Sequence, residues 1–144
     1  MGQVKNEIAN AIKTLNLGSD LIELLDDKTG FEIFQKCLDR FVNSGDRKRW
    51  WEDFKNISFS VDDLEMPFEH LEEYTPNLES KVWLVVEDDD EIFYPAYICS
   101  PKIIGQLIGE CFGFEYYIVD INFKWLICEN HHSRLIGTGN FDRT

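Results

Sequence analysis

Apolar and polar positions follow two different periods along this chain, and the change of period divides it into two halves. In residues 3–17, Val4, Ile8, Ala11, Ile12 and Leu15 recur at helical spacing and predict an amphipathic helix. Gly18 follows as the expected stop. Residues 20–27 (DLIELLDD) fit a short turn or strand. Thr29 with Glu32 three positions on matches a capping box, which predicts a second helix running to about Asn43. Its apolar stripe is Phe31, Phe34, Leu38, Phe41 and Val42, and residues 44–46 (SGD) break it. Residues 47–55 predict a short third helix that places Trp50 and Trp51 in the core.

From residue 57 the period shortens. Residues 57–61 (ISFSV) alternate and predict an edge strand. Residues 62–80 are acidic, contain Pro67 and Pro76, and fit one helical turn around Phe68 to Tyr74. Residues 81–87 are β-branched and aromatic; a turn at 88–90 and a returning strand at 91–99 complete a hairpin. Ser100-Pro101 is a helix start, with Ser at the N-cap and Pro at the first helical position; the helix extends to about Cys111. Within it, Gly105 and Gly109 permit close helix–sheet packing; no phosphate-binding glycine motif accompanies them. Strands at 114–119, 124–130 and 134–138 follow. Helices first, then a hairpin, one inserted helix and a meander predict an α+β fold. N-terminal helices would pack on one antiparallel sheet of about four to five strands, in a single domain over 1–144.

Composition narrows the function classes. The chain is 44% hydrophobic and 14% aromatic, too apolar for a disordered tail. No run approaches the roughly 20 apolar residues of a membrane span. The N-terminus lacks the pattern of a signal peptide, and Asn6 stands where a myristoylation motif calls for Ser or Thr. Cys37, Cys99, Cys111 and Cys128 each lie in apolar stretches without CxxC spacing, which predicts buried free thiols in a reducing cytoplasm.

The net charge of −13 is concentrated. Residues 61–91 hold twelve Asp/Glu against one Lys, whereas 1–60 and 92–144 are nearly balanced. Such a segment repels nucleic acid and anionic membrane surfaces, and it suits a basic protein partner. Glu72 and Glu73, with the run Glu87, Asp88, Asp89, Asp90 and Glu91 at an expected solvent-facing hairpin tip, form the predicted partner face. The run lacks the spacing and glycine of a calcium loop. The basic run Arg47-Lys48-Arg49 beside two tryptophans is the start of a helix rather than a base-stacking site, because Asp46, Glu52 and Asp53 surround it.

Cys128, Glu129, His131 and His132 supply ligand and catalytic residue types. Adjacent histidines in an extended chain point to opposite faces, and no HExxH is present, so no metal, cofactor or catalytic residue is expected. A structural imidazole, hydrogen-bonded at a strand end, is the simpler reading. A small enzyme or metal protein using Glu129, His131 and His132 is the alternative, and a structural or regulatory subunit a further one.

Residues 113–139 (GFEYYIVDINFKWLICENHHSRLIGTG) resemble the C-terminal signature of a family of small bacterial proteins, with Trp125, Glu129, His131 and His132 on its motif. Trp50-Trp51-Glu52 and Lys81-Val82-Trp83 also suit it. Families of this layout resemble immunity proteins that accompany bacterial toxins. The resemblance implies a cytoplasmic, non-enzymatic inhibitor whose acidic segment occupies the cleft of a basic toxin such as a nuclease.

Overall fold

A computed structural model describes residues 2–43, 50–111 and 113–142. Helices α1 (Gln3–Leu15), α2 (Asp27–Phe41), α3 (Leu71–Tyr74) and α4 (Ile104–Gly109) cover one antiparallel sheet. Its strands are β1 (Ile22–Leu24), β2 (Ile57–Val61), β3 (Val82–Val86), β4 (Ala96–Cys99), β5 (Tyr116–Asp120), β6 (Trp125–Glu129) and β7 (Leu135–Gly139). They lie in the order β1-β4-β3-β5-β6-β7-β2. The sheet thus has seven strands, not four or five. The edge strand expected at 57–61 joins the sheet as β2, outside β7, and Ile22–Leu24 adds β1 outside β4.

The central strands are buried on both faces, which explains why their sequences read as continuous apolar runs. Val82, Leu84, Val86, Tyr116, Ile118, Trp125 and Ile127 face α1, α4 and Leu71. Val85, Tyr117, Val119, Leu126 and Cys128 face α2 and Trp50. Successive strand residues point to opposite faces, so each run feeds two cores. On the α2 side the filling is aromatic: Trp50 lies 4.6 Å from Tyr117 and 5.5 Å from Phe34, centroid to centroid. Cys37, Cys99 and Cys128 are buried and Cys111 half-buried, all as free thiols. No helix among the described residues is long and apolar enough to cross a membrane.

Local signals shift by about one turn at several boundaries. Helix α1 ends at Leu15, and Asn16 takes the left-handed closing position (φ 55°) in place of Gly18. Helix α2 starts earlier than its capping-box reading. Asp26 is the N-cap, its Oδ1 accepting from Thr29 N at 2.8 Å, because a carboxylate ahead of Thr29 wins the capping position. That contact holds the Asp26 carboxyl below its ordinary range. Trp50–Glu52 form a 3-10 turn; residues 44–49, including the basic run, lie outside the described residues. The expected strand at 91–99 shortens to β4, since Pro95 brings no amide to the ladder and the chain before it takes another path. Ser100 caps the following helix as expected, accepting from Lys102 N at 3.3 Å.

Gly105 and Gly109 admit the chain at Phe68 rather than the sheet. A Cβ on Gly105 would stand 2.8 Å from the Phe68 carbonyl oxygen, and one on Gly109 3.2 Å from the Phe68 ring. Alanine at 105 would gain up to about 1 kcal/mol of helix propensity. The clash is with backbone, and overpacking of this kind costs about 1–3 kcal/mol. Gly105→Ala is therefore expected to lower the urea midpoint of unfolding; an unchanged or raised midpoint would refute the close approach.

Candidate functional site

Three sets of carboxylates gather where β3 ends, β5 begins and β6 ends. The first is the acidic run. Helix α1 begins at Gly2 with no capping side chain and no acid in its first turn, leaving its free amides without local acceptors. The 88–91 loop supplies them. Glu91 Oε1 accepts from Gly2 N, Asp90 Oδ2 from Gln3 N and Asp88 Oδ2 from Lys5 N, each at 3.3 Å. Lys5 Nζ also pairs with Glu91 at 3.1 Å. The Lys5 ammonium, helped by the Gly2 amide, holds the Glu91 carboxyl below its ordinary value. Gly2 is needed for this approach, since a Cβ there would stand 2.6 Å from Asp88 Cγ.

The expectation of a solvent-facing acidic tip therefore holds only in part. Asp89 and Asp90 are exposed, Glu87 and Glu91 are half-buried, and Asp88 is 2% exposed. Negative charge at a helix N-terminus is favourable, and that gain offsets the mutual repulsion of the run.

The second set is Glu87 with Glu115. Glu115, 8% exposed, accepts from His131 N at 2.9 Å and meets His131 Nδ1 at 2.7 Å. Glu87 N donates to Glu115 O at 3.0 Å. Burial pushes Glu115 up, but the bonds from Glu87 and from the His131 amide and ring outweigh it, so the net displacement is downward.

The third is Glu129. Burial raises its carboxyl, and the hydrogen bond from Tyr116 Oη to Oε1 at 2.5 Å opposes this. Glu129 opens onto a cavity of about 470 Å³ lined by Phe68, Phe114, Tyr116, Asn130 and Ser133 among others.

The β6–β7 turn arranges the motif residues. Asn130 Oδ1 accepts from His132 N at 2.9 Å and Arg134 N at 3.1 Å, and Ser133 takes φ 59°. The two histidines sit in this turn and not in an extended chain, so their rings lie side by side, 4.0 Å between centroids. Trp51 meets both edge-on at 5.8 Å. His131 thus works against Glu115, while Glu129 faces the other core and bonds Tyr116. Trp125 lies at the far end of β6, 4% exposed and stacked on Phe141, as a core residue. Cys128 is enclosed under α2, where burial pushes its thiol well up and away from a nucleophilic thiolate. Among the described residues, no three His, Cys, Asp or Glu side chains are placed to hold a metal ion.

Glu72 and Glu73 sit apart from the run, exposed on α3, with Glu73 Oε2 2.5 Å from His70 Nδ1. Sequence reasoning overlooked Glu115 as the partner of His131 and Asn130 as the acceptor for His132 N and Arg134 N. The only available signal was their position on either side of the open end of the β5–β6 hairpin. It also overlooked an apolar patch beside the acidic loop. Ile92 is 85% exposed, Phe31 46% and Leu24 43%. Ile92 and Leu24 line a cleft of about 100 Å³ with Lys5, Asp26, Asp27 and Glu91, and Phe31 packs on its Phe93 wall, 5.4 Å between ring centroids.

Two outcomes check these assignments. Asp88→Ala should destabilise the fold by about 1–3 kcal/mol, because two amides lose a buried acceptor. Asp89→Ala should stay within about 0.5 kcal/mol, as read by urea denaturation. For Glu129 the folded value lies above the ordinary 4.5, so its contribution to stability is present below 4.5 and lost as pH rises through the folded value. Glu129→Gln keeps an acceptor for Tyr116 and lacks this loss. Its stability relative to wild type should rise as pH increases above 4.5, and a flat difference would contradict the buried-carboxylate assignment.

No curated protein and no solved structure gives a significant match to the chain. A family model does match, over residues 1–144, and the chain belongs to that family of unknown function, DUF6756.

Proposed function

We propose that this chain is an acidic, cytoplasmic, non-enzymatic binding module for a basic protein, acting as an immunity protein that neutralises a toxin such as a nuclease. The observation that carries this reading is Ile92, 85% exposed and next to the exposed acids Asp89 and Asp90. An isolated exposed apolar residue means little, but Ile92, Phe31 and Leu24 share one patch. Tight complexes combine a desolvated apolar centre with a polar rim, and charge around the rim mainly raises the association rate. Asp26, Asp27, Asp89 and Asp90 provide that rim, and Glu72 and Glu73 extend the acidic field from a separate surface. Asp88 and Glu91 hold α1 in place and contribute to the field without being free to contact a partner directly.

The test is affinity capture from extract of the source cells, using wild type and Ile92→Asp. One basic protein should be retained by wild type and lost with the variant. With that protein in hand, Asp89→Asn/Asp90→Asn should slow association by about tenfold at low salt and have little effect near 0.5 M salt, where the screening length falls below about 5 Å. Equal retention by Ile92→Asp, or salt-independent association rates, would sink the proposal.

A further inference from the structure

Glu129 differs from the other buried acids in what balances it. Asp88 and Glu91 meet the amides of α1, and Glu115 meets His131. Glu129 accepts a hydrogen bond from the Tyr116 hydroxyl, on Oε1. No Lys or Arg is among the described residues lining its cavity. Arg134, close by in the chain, turns toward Asp62, with Nη2 3.8 Å from Oδ2. The His131 ring reaches the same cavity but directs Nδ1 to Glu115.

The walls are aromatic. Phe114 stands edge-on to Tyr116 at 6.4 Å, and Phe68 lies over Gly109, where a Cβ would touch its ring. A half-buried carboxylate with no Lys or Arg among the described residues of its cavity, which is partly open, holds about 470 Å³ and is lined by three aromatic rings, has the composition of an ammonium site. The ring faces attract a cation through their quadrupoles, and the carboxylate supplies the opposite charge.

We infer that this cavity binds an organic ammonium group, with Glu129 as its counter-ion and Phe68, Phe114 and Tyr116 as its walls. The group has two sources of the same chemistry: a free alkylamine, or a lysine side chain of a protein. The site lies apart from the Ile92 patch and does not depend on the partner reading.

Titration calorimetry with butylammonium, its neutral counterpart 1-butanol, and Nα-acetyl-lysine methylamide tests it on the full chain. Butylammonium should bind at least tenfold more tightly than butanol, and Glu129→Gln should remove that preference. Burial raises Glu129, so binding should also release protons, visible as different heats in buffers of different ionisation enthalpy. Phe114→Leu is the second variant; it should weaken butylammonium more than butanol. Stronger binding of the lysine derivative assigns the site to a protein side chain, and stronger binding of butylammonium to a free amine; both support the site. Equal binding of butanol, unchanged binding by Glu129→Gln, or no heat with any probe at about 10 mM would overturn it.

Discussion

The double burial of β3, β5 and β6 is the constraint from which the rest of the structure follows. Strands with no polar face must be covered twice. Helices α1 and α4 with the Phe68–Tyr74 segment cover one face, while α2 and the Trp50 turn cover the other. Ionisable groups are then excluded from the strand centres and accumulate where strands end. The cluster of Glu87, Asp88, Glu115 and Glu129 at one end of the sheet is a consequence of that exclusion.

Each of these acids must be balanced where it emerges, and the balances differ in kind. Asp88 is satisfied by the amides at the start of α1, so the acidic loop and the first helix hold one another across more than eighty residues of sequence. Glu115 is satisfied by the amide and ring of His131. Glu129 receives a phenol hydrogen bond, and no Lys or Arg is among the described residues of its cavity. A charge balanced inside the fold is structural, and one left in an aromatic cavity is available to a ligand. The same distinction separates Asp88 from Asp89, neighbours in one acidic run with opposite exposures.

Much of the architecture was legible from residue pattern. The stripe of α1, the α2 stripe apart from the exposed Phe31, the Ser100-Pro101 start, the alternation of 57–61 and the apolar runs of β3, β5 and β6 lie where periodicity put them. Short elements were not. Three residues, Ile22–Leu24, have too few positions to show a period, and only pairing with β4 makes them a strand. Capping was ambiguous for a related reason: Asp26 and Thr29 are both competent N-caps, and three residues of position decide which amide each one meets.

The chain by itself determined the fold class, the apolar runs of the central strands and the concentration of negative charge in residues 61–91, because periodicity and composition are local properties. Only the tertiary structure decided which acids are free. Whether Asp88 caps a helix, whether His131 meets Glu115 and whether Glu129 lacks a cation depend on residues brought together from distant positions. A carboxylate's role is set by its surroundings, and those surroundings exist only after the sheet has closed its register.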